Sequence, residues 1–118
     1  MSSEPVLAGE WLQPGAHVDL VGAYKPDMRE ADDDVHNRGR WFVDSFDTTL
    51  NHIGELKIPL AAGTIQRKDV LGDLHDLVAG RVGRQSDKEI TVFKNGGGAH
   101  LDVMTSAALA DAFNKRQA

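Results

Sequence analysis

The sequence predicts an α/β fold, with a mostly parallel sheet of about three strands and flanking helices. Three short apolar runs have the length and the β-branched and aromatic content of buried strands. Segments with helical periodicity lie between and after these runs, and strands that alternate with helices favour parallel pairing. The 118 residues, 41% of them hydrophobic, suffice for one small packed domain or for a piece of a larger one.

The three predicted strands end in small or polar residues. The first is the run 17–23, which lies between turns at Pro14-Gly15 and Pro26. The second is the run 41–43, and the third is the run 90–93. Each run is too short for a buried helix, so a strand is the favoured interpretation.

Four segments have the pattern of amphipathic or capped helices. The first of them, residues 31–38, carries three aspartates in its first turn, where the helix dipole favours negative charge. The third places five apolar side chains on one face and is followed by Gly80, a typical helix stop. The predicted helices are residues 31–38, 48–55, 69–79 and 99–115.

A sheet of only three strands is thin for an independent fold. Helices on both faces would still leave at least one strand edge unpaired, which is an aggregation hazard. We therefore expect the chain to form part of a larger sheet, and its first residues to resemble the middle of a domain.

Composition excludes several classes of function. A net charge of −5 argues against a nucleic-acid-binding surface, and the absence of an apolar run of eighteen residues argues against a membrane span. The absence of cysteine excludes a disulfide scaffold and favours a cytoplasmic setting. Three aspartates, Asp32 to Asp34, precede His36, but they indicate a solvated helix start, so no metal site is predicted.

The segments that follow the three strands are the candidate ligand loops, because open α/β sheets bind ligands at the carboxyl ends of their strands. These segments are residues 23–30, 44–47 and 94–98. Each also has a purely structural interpretation, namely a turn, a helix cap or a glycine joint. The glycines at 96–98 match neither common phosphate-binding pattern. Spacing alone leaves both interpretations open.

The first strand and its loop carry a family signature. The run H-V-D-L-V-G-A, residues 17–23, is followed by Pro26-Asp27 and Arg29-Glu30. This order resembles the signature H-[VI]-N-A-V-G-A…P-D…R-E-L-D of the ornithine cyclodeaminase/mu-crystallin family. Near the other end, E-I-T-V-F-K at 89–94 resembles that family's E-I-T-[VL]-F-K-S-x-G. The match runs through almost the whole chain in order and at the family's spacing.

The resemblance implies a domain organisation and a set of ligands. Residues 1–95 would be the C-terminal half of a Rossmann-type NAD(P)-binding domain. Residues 96–118 would be a helix that returns to a dimer and substrate domain outside this chain. The family's glycine-rich loop would lie upstream. The implied cofactor is NAD or NADP, and the implied substrate is a small imino or amino acid. The implied protein partner is a second copy of the chain or a missing N-terminal half.

The resemblance also assigns roles near the cofactor. Residues 21–23 match the strand end that faces the nicotinamide. Asn95 and Gly97 fall in the loop after the last strand, beside the cofactor. In this sequence, the cofactor-binding residues so implied are Val21, Gly22, Ala23, Asn95 and Gly97.

Two further residues are implied to act on the substrate. Asp47 falls where family members place an acidic residue near the substrate. Tyr24 falls where cyclodeaminases and archaeal alanine dehydrogenases carry a catalytic aspartate, and is the candidate catalytic residue. A phenol donates a proton more readily than it accepts one, which suits imine reduction better than ornithine cyclisation. A tyrosine that only packs against the turn of Lys25 and Pro26 is an equally open interpretation.

The resemblance thus implies an NAD(P)-dependent oxidoreductase segment, of the ketimine-reductase type more than the cyclodeaminase type. The alternative is a truncated, catalytically inactive module that oligomerises or binds a partner. An upstream reading frame encoding the glycine-rich loop would favour the enzyme.

Overall fold

A four-stranded, wholly parallel sheet forms the centre of the computed structural model, which describes residues 2–117. The strands lie in the order β1-β4-β2-β3, so the last strand in sequence inserts between the first two. The predicted α/β class is confirmed, with four strands instead of about three. The strands are β1 (His17–Leu20), β2 (Gly39–Val43), β3 (Val70–Gly72) and β4 (Ile90–Lys94).

The first strand is shorter than the predicted run 17–23, because it ends at Leu20. The next residues do not continue the ladder. The backbone amides of Gly22 and Ala23 donate instead to the carboxylate of Glu30. Val21, Gly22 and Ala23 therefore form a loop at the carboxyl end of β1.

The strand β3 lies inside the segment 69–79 that was predicted to be one helix, and that prediction is wrong. Its apolar spacing fits a helix, but Val70 and Gly72 pair with β2. A Cβ atom at Gly72 would lie 2.7 Å from a methyl group of Val82, so the close approach of β3 to this side chain favours a glycine. Asp73 then caps a short helix by accepting from the amide of Asp76.

Five helices connect and follow the strands. The predicted helix 48–55 is wrong in its bounds, because a turn at Asn51 and His52 separates two helices there. The second of these continues to Ala62, with Pro59 inside it, and ends at Gly63, whose φ is 77°. The helices are α1 (Asp33–Arg38), α2 (Phe46–Thr49), α3 (Gly54–Ala62), α4 (Leu74–Val78) and α5 (Ala99–Gln117).

The hydrophobic core lies on one face of the sheet. Side chains alternate along each strand, so Trp41 and Val43 of β2 and Val92 of β4 point to the same face. Val35 of α1 and Leu56 of α3 pack against them and are fully buried. This packing holds the start of α3 beneath the loop that follows β1.

The last helix has no buried residue among those described. It follows three glycines and exposes large apolar side chains, which include Val103, Met104, Leu109 and Phe113. Across residues 2–117, no helix combines the length and apolar character needed to cross a membrane.

Candidate functional site at the carboxyl ends of the strands

Backbone hydrogen bonds join the carboxyl ends of three neighbouring strands. The amide of Asn95 donates to the carbonyl of Leu20 at 3.0 Å, and the amide of Asp44 donates to the carbonyl of Lys94 at 3.1 Å. The carboxylate of Asp44 accepts from the amide of Gly96 at 2.9 Å. The predicted ligand loops after β1, β2 and β4 are therefore brought together at one edge of the sheet.

The glycine segment after β4 makes a tight turn against α2. Asn95 accepts a hydrogen bond from the amide of Gly97 at 2.7 Å, and Gly97 has a φ of 79°. A Cβ atom at Gly96 would lie 3.0 Å from the hydroxyl oxygen of Thr48. The turn thus depends on small residues, and it holds Asn95 and Gly97 beside the ends of β1 and β2.

A cleft of about 460 Å³ opens at this edge. Its volume lies within the range of small-molecule sites. Apolar side chains mix with histidines, hydroxyls and a carboxylate in its lining. The lining residues are Asp44, Ser45, Thr48, Leu74, His75, Phe93, Asn95, Gly97, His100 and Leu101.

The structure places the predicted site residues unevenly around this cleft. Asn95 and Gly97 line it. The other predicted site residues do not, namely Val21, Gly22, Ala23, Tyr24 and Asp47. Tyr24 is 51% exposed at the end of the loop after β1, with the ammonium group of Lys25 5.5 Å from its ring centre. Asp47 is exposed in the first turn of α2.

The three small residues before Tyr24 lie at different depths. Val21 is exposed and Ala23 is buried, while Gly22 lies between them in exposure. Because Asn95 is hydrogen-bonded to Leu20, it lies directly beside the start of this loop. The structure therefore brings all five predicted cofactor residues to the ends of β1 and β4.

A buried ion pair lies beneath the loop after β1. The ammonium nitrogen of Lys94 is 3.5 Å from the carboxylate of Glu30, and it donates to the carbonyl of Leu20 at 3.2 Å. The Lys94 side chain has no solvent exposure. Burial lowers the pKa of Lys94, and the nearby carboxylates of Glu30, Glu55 and Asp44 oppose that shift.

A fully buried carboxylate, that of Glu55, extends this cluster. Glu55, in the first turn of α3, accepts hydrogen bonds from the backbone amides of Glu30 at 2.6 Å and Ala31 at 3.0 Å. A ring nitrogen of His36 lies 3.6 Å from the Glu55 carboxylate, and both side chains are fully buried. His36 stacks on Trp41 with ring centres 4.1 Å apart.

Glu30 and Lys94 belong to the family signature, but no role was predicted for either from the sequence. A signal was present for Lys94, because it is the fifth residue of an apolar strand and shares a face with Ile90 and Val92. The partners Glu30 and Glu55 are 64 and 39 positions away in sequence from Lys94, respectively, so no local pattern connects them. Within the described residues, no three metal-ligating side chains converge.

A sequence model of the ornithine cyclodeaminase/mu-crystallin family matches residues 1–117. The chain is 60% identical over 111 residues to a Δ1-pyrroline-2-carboxylate reductase of Paracoccus denitrificans. That match covers 93% of this chain and 35% of the relative. The chain therefore spans about a third of the length of the curated relatives it matches.

Two solved structures have the same fold. One is the Thermococcus litoralis Δ1-pyrroline-2-carboxylate reductase in complex with NADH and L-proline. It has a TM-score of 0.76 and 34% identity, over 81% of this chain and 30% of that one. The other is an archaeal alanine dehydrogenase dimer with bound NAD. It has a TM-score of 0.81 and 30% identity, over 99% of this chain and 37% of that one. With the family model matched along nearly its whole length, the chain belongs to the ornithine cyclodeaminase/mu-crystallin family.

Proposed function

We propose that this chain forms the nicotinamide side of an NAD(P)-dependent reductase for small cyclic imino acids. The observation that carries the proposal is the junction of the ends of β1, β4 and β2 beside a cleft of ligand size. Parallel α/β sheets bind ligands at this edge. The identity of the reaction is supported by the 60% identical relative, which is a Δ1-pyrroline-2-carboxylate reductase.

The residues present fit one end of a dinucleotide. Phe93 and Leu74 give the cleft apolar walls, and a Cβ atom at Gly97 would meet nothing within 4 Å, so the backbone is open to a flat ring there. The chain contains no G-x-G-x-x-G segment, so the pyrophosphate would be held by residues outside it. When bound, NAD(P)H supplies the hydride that reduces a C=N bond.

Each predicted residue then has a specific task. Val21, Gly22, Ala23, Asn95 and Gly97 form the backbone surface that orients the nicotinamide ring. Tyr24, at the exposed end of the same loop, donates a proton towards the imine nitrogen. Asp47 holds the cationic form of the substrate from the first turn of α2.

The same proposal extends to the surroundings of the chain. Residues 1–95 form the second half of a Rossmann-type domain, and residues 96–118 lead into a dimer and substrate domain. The fully exposed α5, which follows a glycine segment, supports this division. A homo-oligomer is supported by the dimeric archaeal alanine dehydrogenase. A cytoplasmic setting stays a prediction from the absence of cysteine.

The second candidate is an oligomerising module without catalysis, and α5 is the observation that favours it. A 19-residue helix with its apolar side chains exposed is a typical association surface. Sedimentation analysis of the chain alone tests this candidate. We expect self-association that increases with concentration, whereas a monomer at every concentration would argue against it.

A steady-state assay tests the reductase. The chain is joined to the amino-terminal two thirds of the Paracoccus reductase, and oxidation of NADH or NADPH is followed with Δ1-pyrroline-2-carboxylate. The Paracoccus enzyme itself is the positive control. We expect the joined protein to reduce the imine within about tenfold of the control. A folded protein that binds dinucleotide but leaves the imine unchanged would overturn the proposal.

A further inference from the structure

The loop after β1 is held by a carboxylate rather than by a neighbouring strand. The two oxygens of Glu30 accept from the amides of Gly22 at 3.1 Å and Ala23 at 2.9 Å. A Cβ atom at Gly22 would lie 2.6 Å from a Glu30 oxygen, so the close approach requires a glycine. Charge-assisted hydrogen bonds of this kind are about twice as strong as neutral ones.

Lys94 fixes the position of that carboxylate. Its ammonium group contacts both Glu30 and the carbonyl of Leu20, the last residue of β1. A fully buried ammonium ion costs several kcal/mol unless it is paired, so the side chain is confined to this arrangement. Lys94 thereby ties Glu30 to the strand end from which the loop begins.

The backbone of Glu30 is anchored from the opposite side. Glu55 accepts from the amides of Glu30 and Ala31, and the amide of Gly54 donates to the carbonyl of Lys25 at 2.9 Å. The return of the loop is thus fixed to the start of α3. Two buried charges, one on β4 and one on α3, hold the whole segment between Gly22 and Ala31.

We propose that Glu30, locked by Lys94, is a positioning residue that sets the geometry of the loop Val21–Tyr24 for the reduction. This inference rests on the proposed function. Glu30 acts through the Gly22 and Ala23 amides and leaves the reacting atoms to other groups. Because Ala23 is buried and directly precedes Tyr24, its fixed amide sets where the Tyr24 backbone begins. A displacement of about 1 Å at such a loop can reduce a rate by about 100-fold.

Glu89 provides a matched control at the opposite end of β4. Its carboxylate also accepts from two successive amides, those of Gln85 at 2.7 Å and Ser86 at 3.4 Å, and it lies 3.4 Å from a guanidinium nitrogen of Arg40. The side-chain exposures are similar, 20% for Glu30 and 23% for Glu89. All three contacts are to one oxygen of Glu89, so the amide oxygen of Glu89→Gln can still accept from both amides. This variant therefore removes the charge of a similarly exposed carboxylate away from the carboxyl ends of the strands.

The first measurement is amide hydrogen exchange in the chain itself. Glu30→Gln keeps the size of the side chain but removes one acceptor oxygen and the ion pair. We expect exchange at Gly22 and Ala23 to become faster by about tenfold or more, because the acceptor that protects these amides is weakened. Glu89→Gln should leave exchange at Gly22 and Ala23 unchanged. Unchanged exchange at Gly22 and Ala23 in Glu30→Gln would overturn the inference.

The second measurement separates positioning from folding in the joined protein. We expect Glu30→Gln to lower kcat by about 10- to 100-fold while the KM for dinucleotide changes by less than about threefold, because the pyrophosphate is bound elsewhere. Glu89→Gln should keep kcat. Equal losses of kcat in both variants, or a loss confined to KM, would overturn the inference.

A third variant covers the case in which Glu30→Gln fails to fold. Gly22→Ala displaces the Glu30 carboxylate from the other side of the same contact, and Gly22 does not have a positive φ that would strain alanine. It should reproduce the loss of kcat, and normal kcat would count against the inference. If the unsubstituted joined protein shows no reductase activity, the proposed function fails. Faster exchange in Glu30→Gln would then show that Glu30 anchors the loop, but the role in the reduction would fail with the proposed function.

Discussion

At the scale of single residues, the chemistry of the candidate site depends on whether Tyr24 donates a proton. It is half exposed at the end of the loop after β1, where a substrate could reach its hydroxyl. Tyr24→Phe keeps the ring and its contact with Lys25 but removes the donor. In the joined protein we expect imine reduction to fall by about 100-fold, a typical contribution of general acid catalysis. Unchanged reduction would assign Tyr24 to packing alone.

Lys94 makes stability depend on pH in a defined direction. Burial lowers its pKa in the folded protein, so the folded state loses the proton before the unfolded state does. The cost of burying the charge is present at neutral pH and is relieved as the pH rises towards the ordinary lysine value of about 10.4. Between the lowered pKa of the folded state and the ordinary lysine value, the unfolded state binds more protons at Lys94. The free energy of unfolding therefore increases with pH in this range.

The measurement is the free energy of unfolding of the natural chain and of Lys94→Met at several pH values from 7 to about 10. The free energy of unfolding of the natural chain, minus that of Lys94→Met, should increase with pH by roughly 1.4 kcal/mol per pH unit at most. Lys57→Met, at an exposed position on α3, is the control and should show no such trend. A difference that shifts the other way would show that the pKa is raised instead.

Residue roles were only partly predictable. The resemblance identified the loop after β1 and the turn after β4, and the structure brings these two together. It gave no role to Glu30 or Lys94, because their interaction joins a loop and a strand that are 64 residues apart. Nothing in the local pattern around Glu30 distinguishes a buried anchor from a solvated charge.

At the scale of elements, the two helix predictions that are wrong, 69–79 and 48–55, have physical causes. The apolar spacing of Val70, Leu71 and Leu74 fits a helix, but a three-residue strand followed by a capped helix has the same spacing. The continuation of α3 to Ala62 was not predicted because Pro59 is a poor helix former, although Gly54 and Glu55 lie within the predicted helix 48–55. Tertiary contact with the loop after β1 outweighs that preference.

Gly54 provides a test of that contact. A Cβ atom there would lie 2.6 Å from the carbonyl oxygen of Pro26, and backbone atoms move less easily than side chains. We expect Gly54→Ala to lower the free energy of unfolding by about 2–3 kcal/mol, the upper part of the typical cost of overpacking, because backbone atoms must move. Gly63→Ala is the comparison, because a Cβ there meets nothing and only its φ of 77° is unfavourable, at about 1 kcal/mol. An equal or smaller loss for Gly54→Ala would contradict the close packing of α3 on the loop.

At the scale of the whole molecule, the proposed function gives this chain one wall of the site. Its strands β1 and β3 form the two edges of the sheet in the described residues, and α5 extends from it without buried contacts. The α/β class followed from the alternation of strands and helices. The strand order β1-β4-β2-β3 did not, because the insertion of β4 depends on its pairing with residues of β1 that are 74 positions away and residues of β2 that are 51 positions away.

The chain alone should bind dinucleotide weakly. It has the turn at Asn95 and Gly97 but no glycine-rich loop for the pyrophosphate, which supplies much of the binding of such cofactors. Calorimetric titration with NADH and NADPH should therefore show no binding in the low micromolar range. Tight binding by the isolated chain would require a phosphate site among its own residues.

The most direct test of the reductase assignment is the ratio of two activities in the joined protein. Reduction of Δ1-pyrroline-2-carboxylate and deamination of ornithine are measured side by side, as kcat/KM values for the same preparation. With Tyr24 as a proton donor, we expect imine reduction to exceed ornithine deamination by at least about 100-fold. Efficient ornithine deamination with Tyr24 in place, or deamination without imine reduction, would contradict the reductase assignment.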